Sequence, residues 1–188
     1  MRRRAALALP LALALGFAPV AGRAAPFLGD LRSGRAALLM RHALAAGTGD
    51  PPGFRLDDCA SQPNLSERGR AQARAWGEAL RTMGLERATV LSSAWCPCRE
   101  TAELLRLGPV AHHPALDSVF ADRAREAERT AALLALLREW RGGALVLVTH
   151  QANITALTRV VPAPGGAVVV RTGDRAGEVV ATIDPPPV

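Results

Sequence analysis

The sequence has no lysine and no tyrosine, and aromatic residues make up only 4% of its 188 positions. Hydrophobic residues nevertheless make up 49%, so the interior of the protein has to consist mainly of Ala, Leu and Val. A chain of this length is most simply a single domain. No internal repeat is found along it, so the pattern of a repeat protein is missing.

A hydrophobic run long enough to span a bilayer is also missing. Met1–Arg4 is basic, residues 5–18 are mostly Ala and Leu, and small residues follow at 21–25. This order is typical of a secretory signal peptide, and the apolar stretch is too short for a membrane helix. We therefore predict a signal peptide over residues 1–24, a domain over residues 25–188, a periplasmic or secreted location and no membrane attachment after cleavage. No cysteine lies near the cleavage site, which argues against a lipid anchor, and the match to a twin-arginine signal is weak.

Little net charge remains once this segment is removed. The whole chain carries a formal charge of +6, and the segment contains four arginines and no acid, which leaves +2 (6 − 4). The high isoelectric point therefore comes largely from the N-terminus and gives no support to nucleic-acid binding.

The chain has three cysteines, Cys59, Cys96 and Cys98. Export permits disulfides. Cys96 and Cys98 flank a single proline, which leaves a tight geometry for a mutual bridge, so we expect Cys59 to pair with one of them and the other to stay free. A metal site with His112 and His113 is the alternative. Adjacent residues of an extended segment point to opposite faces, which disfavours it.

Two hydrophobic runs end in histidine. Residues 36–40 lead directly into Arg41 and His42, and residues 144–149 lead into His150. Short apolar runs of this kind are typical of buried strands, with a buried helix segment as the rival interpretation. Ligands of open α/β sheets bind beyond the carboxyl ends of the strands, so both histidines and Arg41 are predicted to share one pocket. A lone histidine at a strand end is commonly a packing residue, and the prediction rests on the pair together with the adjacent arginine.

These side chains suit phosphoryl transfer. A histidine can act as a nucleophile that carries the phosphoryl group. Arginine binds phosphate oxygens in a bidentate manner and keeps its charge. A second, protonated histidine adds a further donor, and this chemistry requires neither a metal nor another cofactor.

Strand and helix patterns alternate along the rest of the chain, which predicts an α/β three-layer sandwich with a mostly parallel central sheet. A breaker-rich loop over residues 45–63 follows His42 and is expected to wall the site. The expected helices begin near Ser66, Arg99, Asp122 and Ile154, with Ser66 and Asn153 as N-caps. Short strands are expected at 88–91, 167–171 and 178–183, with 110–116 irregular or a short strand, and a short helical turn at 27–32.

The chain resembles the histidine phosphatase superfamily, whose fold is shared with cofactor-dependent phosphoglycerate mutase. The resemblance lies in Leu39-Met40-Arg41-His42, in residues 64–73, in Leu91-Ser92-Ser93, in Glu100-Thr101-Ala102-Glu103 and in Val148-Thr149-His150, all in the family's order. It implies a mostly parallel α/β sandwich in which His42 is the phosphorylated nucleophile, Arg41 binds the phosphoryl oxygens and His150 completes the pocket. Ala43 stands where the family usually has glycine, which is a mild departure.

Two further features depart from the family. The resemblance places a second phosphate-binding arginine at position 97, which is proline here and offers no donor. Arg99 is the nearest replacement, although a solvated role in the first helical turn suits it equally well. Asp117 and Asp122 are the candidates for a general acid, and Asp122 is also a good N-cap for its helix.

The sequence therefore leads to two hypotheses. The first is an exported phosphomonoesterase, of the histidine acid phosphatase type, that acts on a phosphorylated small molecule or a phosphoprotein and is expected to be a monomer. The second is a weak or inactive pseudo-phosphatase that binds a phosphorylated ligand or partner, as Pro97 suggests. A mutase is less favoured because an exported enzyme meets little glycolytic substrate.

Overall fold

The computed structural model describes residues 27–47 and 49–188. The predicted signal peptide lies outside the described residues. No helix in the described part of the chain has the length and hydrophobicity needed to cross a membrane.

A six-stranded sheet forms the centre of the molecule, with the strand order β3-β2-β4-β1-β5-β6. The first four strands in this order run parallel to one another, and β5 and β6 extend the sheet in antiparallel fashion. This architecture confirms the predicted mostly parallel sheet. The strands are β1 (Ala36–Arg41), β2 (Thr89–Ser92), β3 (Val110–His112), β4 (Leu145–Thr149), β5 (Ala167–Arg171) and β6 (Val179–Ile183).

The central strands are hydrophobic throughout because both faces of the sheet are covered. In β1, Leu38 and Met40 belong to the core on one face, and Ala37 and Leu39 belong to the core on the other. This period of two places every side chain of the run in an apolar environment. It explains why a continuous Ala-Leu-Met sequence forms a strand here and ends abruptly where the polar residues begin.

In the described part of the chain, five helices make the two outer layers. One face of the sheet is covered by α1 (Leu28–Arg32), α2 (Glu67–Thr82) and α3 (Cys96–Leu105). The other face is covered by α4 (Glu126–Glu139) and α5 (Gln151–Thr158). The three-layer sandwich predicted from the alternation of elements is therefore confirmed.

Helix α2 begins where the sequence predicts. Ser66 is its N-cap, and the Oγ atom of Ser66 accepts a hydrogen bond from the Gly69 N–H at 3.0 Å. Such a cap satisfies one of the free N–H groups of the first turn. The same hydroxyl donates to the Leu44 carbonyl at 3.0 Å, so the cap also joins the helix to the segment that follows His42.

Three helix boundaries differ from the predictions. Helix α3 begins at Cys96, three residues before the expected Arg99, because proline fits well in a first helical turn. Residues 123–125 form a separate 3₁₀ turn, and α4 begins only at Glu126. Asn153 is not an N-cap: it lies within α5, where its amide bonds the Asp117 carbonyl and the Val119 N–H instead.

The expected disulfide joins Cys59 to Cys96 and leaves Cys98 as a buried thiol. It ties the long loop after His42 to the first residue of α3. Closing a loop of this span stabilises a fold by about 3–4 kcal/mol in the chain-entropy view. The metal alternative finds no support, since the described residues contain no group of three His, Cys, Asp or Glu side chains arranged to hold an ion.

Candidate active site

Polar side chains from neighbouring strands meet at the carboxyl edge of the sheet. Arg41 pairs with Thr149 in the parallel ladder between β1 and β4, and the His42 N–H donates to the Thr149 carbonyl at 2.9 Å. His42 and His150 therefore emerge side by side, with ring centroids 5.5 Å apart. The structure thus brings Arg41, His42 and His150 into the lining of one pocket, where the sequence predicted them.

His42 has a defined tautomer. Its Nδ1 atom lies 2.9 Å from the Ala43 carbonyl oxygen. A carbonyl oxygen only accepts, so Nδ1 carries the proton and Nε2 keeps its lone pair. Burial is the main reason why the pKa of His42 lies below its ordinary value, and the adjacent Arg41 adds to this effect. The neutral ring is thereby maintained at neutral pH with a nucleophilic Nε2.

Arg41 is held in the pocket lining by hydrogen bonds from its guanidinium group. Its Nη1 atom donates to the Gln151 side chain and to the Pro162 carbonyl, both at 3.1 Å. The Nε atom is buried and has no hydrogen-bond partner among the described residues. The guanidinium group keeps its positive charge, which suits it to an anionic ligand.

His150 is buried at the floor of the pocket. Its Nε2 atom lies 2.8 Å from the Ser93 hydroxyl and 3.5 Å from the Cys98 sulfur. Burial lowers the pKa of His150 well below its ordinary value, and interactions with His42, Arg129 and Arg41 act in the same direction. The free ring is therefore neutral at neutral pH, in contrast to the protonated donor expected from the sequence. Burial also raises the pKa of the Cys98 thiol, which therefore stays protonated.

The pocket has a volume of about 470 Å³, and both polar and apolar side chains line its walls. The loop after His42 forms one wall, as predicted, through Ala45, Gly47, Gly49, Asp50 and Pro63. Trp95 stacks on Phe54 and meets the edge of His150, with centroid distances of 5.6 and 5.4 Å. Phe120, 59% exposed, adds a second aromatic surface at the mouth. A phosphoryl group would thus enter between aromatic and loop walls and meet the histidines at the floor.

Comparison with known proteins gives one family match. The family model of the histidine phosphatase superfamily (branch 1) matches residues 37–124, which include Arg41 and His42. In this part of its sequence the chain is similar to the histidine phosphatase superfamily. A search of curated protein sequences finds no match.

Solved structures with the superfamily fold resemble the chain over most of its length. The protein histidine phosphatase SixA, solved with tungstate, is 18% identical with a TM-score of 0.57 and covers 79% of this chain and 96% of its own. The Rv3214 protein of Mycobacterium tuberculosis is 18% identical with a TM-score of 0.57 (80% and 98% covered). Mycobacterial hydrolase 1 is 18% identical with a TM-score of 0.58 (81% and 99% covered). At these identities the likeness establishes the fold.

The proline at position 97, where the resemblance implies an arginine, lies in the pocket lining. Arg99, the proposed replacement for the missing arginine, is not brought to it. Its side chain lines a separate surface depression beside Leu56 and Glu103. The turn of α3 that aims residue 97 at the pocket aims residue 99 elsewhere, because two residues correspond to about 200° of helical rotation.

The two candidate acids are also absent from the pocket lining. Asp117 is buried behind the floor, where its Oδ1 atom accepts from the Ala94 N–H at 2.9 Å. Asp122 is exposed and occupies the N-cap position of the 3₁₀ turn without a side-chain hydrogen bond. The carboxyl groups that do line the pocket are Asp50 and Glu126.

Several site residues were missed in the sequence. Ser93 contacts His150, and Gln151 holds Arg41. Trp95 donates from Nε1 to Asp50 at 3.0 Å, which joins the loop to the aromatic wall. The position of Ser93 directly after a short strand is the one signal that could have identified it, since His42 and His150 follow their strands in the same way.

Proposed function

We propose that the protein is an exported phosphatase that hydrolyses a phosphomonoester through a phosphohistidine intermediate on His42. The observation that carries this proposal is the hydrogen bond from His42 Nδ1 to the Ala43 carbonyl, which leaves an unprotonated Nε2 at the floor of a pocket. Arg41, which lines the same pocket and keeps its positive charge, provides the matching anion-binding group. A structural relative with this fold binds tungstate, an analogue of phosphate, which agrees with an oxyanion as the ligand.

The reaction has two steps. In the first, the lone pair of His42 Nε2 attacks phosphorus and the P–O bond of the ester breaks. The leaving oxygen takes a proton from water at the solvent-exposed mouth of the pocket. In the second, water attacks the phosphohistidine, which releases inorganic phosphate and restores the neutral imidazole. Arg41 stabilises the charge on the equatorial oxygens during both steps.

The pocket favours substrates with good leaving groups. Of its carboxyl groups, Asp50 already accepts a hydrogen bond from Trp95, and Glu126 is paired with Arg123. Neither contact prepares the group as a proton donor. We therefore propose that the substrate, a phosphorylated small molecule or a phosphoprotein side chain, departs with little acid assistance. The histidine acid phosphatase subtype predicted from the sequence is part of this proposal.

A second function is favoured by one observation. Pro97 lines the pocket where the superfamily resemblance implies a second arginine. The pocket therefore lacks one positively charged side chain that would bind phosphate. A pseudo-phosphatase that binds a phosphorylated ligand without turnover would need only the remaining donors. Turnover separates this alternative from the enzyme.

Replacement of His42 tests the mechanism. The exported protein, after the host has removed the predicted signal peptide, is incubated with an aryl phosphate. Release of phosphate is measured for wild type, His42→Ala and the control His113→Ala. Activity is expected to be lost only in His42→Ala, because the proposed intermediate carries the phosphoryl group on His42 Nε2. Acid-labile label from a phosphate donor should map to His42. Near wild-type turnover by His42→Ala would refute the phosphohistidine mechanism.

Export is tested by N-terminal sequencing of protein recovered from the periplasm or medium of a bacterial host. A chain that begins at or near Ala25 is expected, because small residues suitable for cleavage cluster there. Recovery of the intact N-terminus from the cytosol would contradict this part of the proposal.

A further inference from the structure

A chain of polar contacts connects the pocket floor to the molecular surface. The Ser93 hydroxyl lies 2.8 Å from His150 Nε2 and 3.5 Å from Asp117 Oδ1. The same carboxylate oxygen lies 3.0 Å from His112 Nε2. Ser93, Asp117 and His150 are all buried, whereas the His112 side chain is 47% exposed. Four side chains thus link the reacting centre to a second depression on the surface, which His112 lines.

The strand order of the sheet produces this arrangement. His112 ends β3, Ser93 follows β2 and His150 follows β4, and these strands are consecutive neighbours in the sheet. The Ser93 N–H donates to the Val148 carbonyl at 3.0 Å, which fixes the serine beside the end of β4. Asp117 is held against them by the Ala94 N–H. Three of the four groups are therefore placed by strand ends, and Asp117 follows the 3₁₀ turn at Pro114–Leu116.

The hydroxyl of Ser93 has one proton and two possible acceptors, Asp117 Oδ1 and His150 Nε2. It also accepts the Trp95 N–H at 3.3 Å. Asp117 is a buried carboxylate, and hydrogen bonds to a charged acceptor are roughly twice as strong as neutral ones. The charge on Asp117 thus favours that acceptor, although its contact at 3.5 Å is longer than the 2.8 Å contact with His150. With the serine proton directed to Asp117, Ser93 accepts a hydrogen bond from a proton on His150 Nε2.

We propose that Asp117, acting through Ser93, keeps the single proton of free His150 on Nε2, so that His150 binds a phosphoryl oxygen only after taking up a second proton at Nδ1. The proton comes from solvent, a new N–H bond forms at Nδ1, and no electron transfer is involved. Asp117 and Ser93 are positioning residues in this scheme, because they act on the substrate through His150. The inference rests on the proposed function only in that the pocket binds a phosphoryl-like oxyanion.

The surroundings of His150 are consistent with a neutral free ring and a charged bound ring. The groups that act on it electrostatically are His42, Arg41 and Arg129, and each lowers its pKa in the absence of a ligand. Cys98 also contacts Nε2, and its thiol stays protonated. A dianion in the pocket offsets the positive charges of Arg41 and Arg129, so ligand binding and proton uptake by His150 become linked. At the surface end of this series of polar contacts, Asp117 also interacts electrostatically with His113 and Arg125.

The tautomer is directly measurable. Long-range ¹H–¹⁵N NMR of histidine-labelled protein at about pH 7.5, without ligand, distinguishes a protonated Nε2 from a protonated Nδ1. Wild type is expected to show the proton on Nε2. In Asp117→Asn the neutral amide oxygen at 3.5 Å no longer competes with the nitrogen at 2.8 Å, so the serine proton turns to His150 and the ring proton moves to Nδ1. The control Asp122→Asn removes the same charge from an exposed position and should match wild type.

Three results would overturn the inference: wild-type His150 protonated on Nδ1, no change of tautomer in Asp117→Asn, or the same change in Asp122→Asn. If Asp117→Asn does not fold, Ser93→Ala is measured in its place. Loss of the hydroxyl acceptor should then reduce the Nε2-protonated population, and an unchanged population would count against the proposal.

Proton uptake provides the second test. Binding of tungstate, a dianion at this pH, is followed calorimetrically in two buffers of different ionisation enthalpy. Wild type should take up about one proton per tungstate, and Asp117→Asn clearly less, because its neutral ring already offers an Nδ1 donor. Tungstate binding by wild type without proton uptake would refute the linkage. A folded wild type that does not bind tungstate at all would refute the proposed function, while the NMR result would still decide the positioning of His150.

Discussion

At the scale of single residues, Pro97 is the feature that sets the expected catalytic power. It lies in the first turn of α3 and lines the pocket, where it offers no donor to a phosphoryl oxygen. Its carbonyl accepts the Thr101 hydroxyl at 2.7 Å, and that threonine in turn accepts the Ala43 N–H at 3.0 Å, next to His42. The backbone at position 97 is therefore held in place by hydrogen bonds. What the position lacks is a side-chain donor for a phosphoryl oxygen.

Pro97→Arg is expected to raise kcat/KM by at least about tenfold, because loss of one preorganised donor typically slows a reaction by roughly 10²–10³. Steady-state kinetics with an aryl phosphate measures the change. Pro97→Met, which fills similar space without charge, is the matched control and should give no gain. Arg99→Ala should leave turnover unchanged because Arg99 lines a different depression. The opposite pattern, with turnover lost in Arg99→Ala and unaffected in Pro97→Arg, would show that Arg99 takes the role of the arginine expected at position 97.

Some of the site residues are readable from the sequence and others are not, for a physical reason. Arg41, His42 and His150 each end an apolar run, and the edge at which a ligand binds follows from parallel strands alone. Ser93 and Asp117 matter because β3, β2 and β4 lie in that order. Strand order depends on long-range pairing, which a local pattern does not reveal. Asp117 was thus identified as a candidate acid by residue type, whereas its contacts place it behind His150.

At the scale of elements, the packing of α2 holds the nucleophile in place. Gly69, in its first turn, lies so close to the chain after His42 that an added Cβ would stand 2.1 Å from the Leu44 carbonyl oxygen. The Ser66 hydroxyl binds the same carbonyl at 3.0 Å. The start of α2 therefore fixes the backbone two residues beyond His42, which is why a residue that weakens helices is present there.

Gly69→Ala is expected to destabilise the protein by about 1–3 kcal/mol, because the helix has to shift away from the backbone it contacts. It should also lower kcat, since the displaced segment carries His42. Gly29→Ala in α1 is the matched control: nothing lies within 4 Å of its Cβ position, so a gain of up to about 1 kcal/mol is expected from helix propensity. Urea unfolding and kinetics measure both effects. Equal stabilities of the two variants would contradict the close contact.

Element types were predictable to a greater extent than element boundaries. The two buried strands and the cap of α2 follow from local patterns, namely continuous apolar runs and a serine before a helix. The sequence predicts a start of α3 near Arg99, three residues too late, because the two cysteines around Pro97 are typical of a loop. The start of α5 was also placed too late, since Asn153 resembles a cap in sequence. Its amide is instead occupied by tertiary contacts with the segment of Asp117 and Val119.

At the scale of the whole molecule, the fold holds two histidines, the half-buried His42 and the buried His150, as neutral rings. Burial lowers the pKa of both His42 and His150, so at mildly acidic pH the unfolded chain binds protons that the folded protein does not. Unfolded histidine titrates near pH 6.5. The stability associated with these rings is therefore fully present above that pH and is lost as the pH falls below it, towards the folded-state pKa values. His113, whose pKa is also lowered by burial, acts in the same direction.

The free energy of unfolding is accordingly expected to decrease between about pH 7 and pH 5, by at most about 1.4 kcal/mol per pH unit for each buried histidine. Urea unfolding at several pH values measures the slope for wild type, His42→Gln and His150→Gln. Because glutamine does not titrate in this range, each variant should show a shallower slope, even where its stability at pH 7 is lower. His113→Gln is the comparison for a less buried ring and should reduce the slope least. A wild-type stability that rises on acidification, or slopes that are equal in all four proteins, would contradict the burial of neutral histidines at the edge of this sheet.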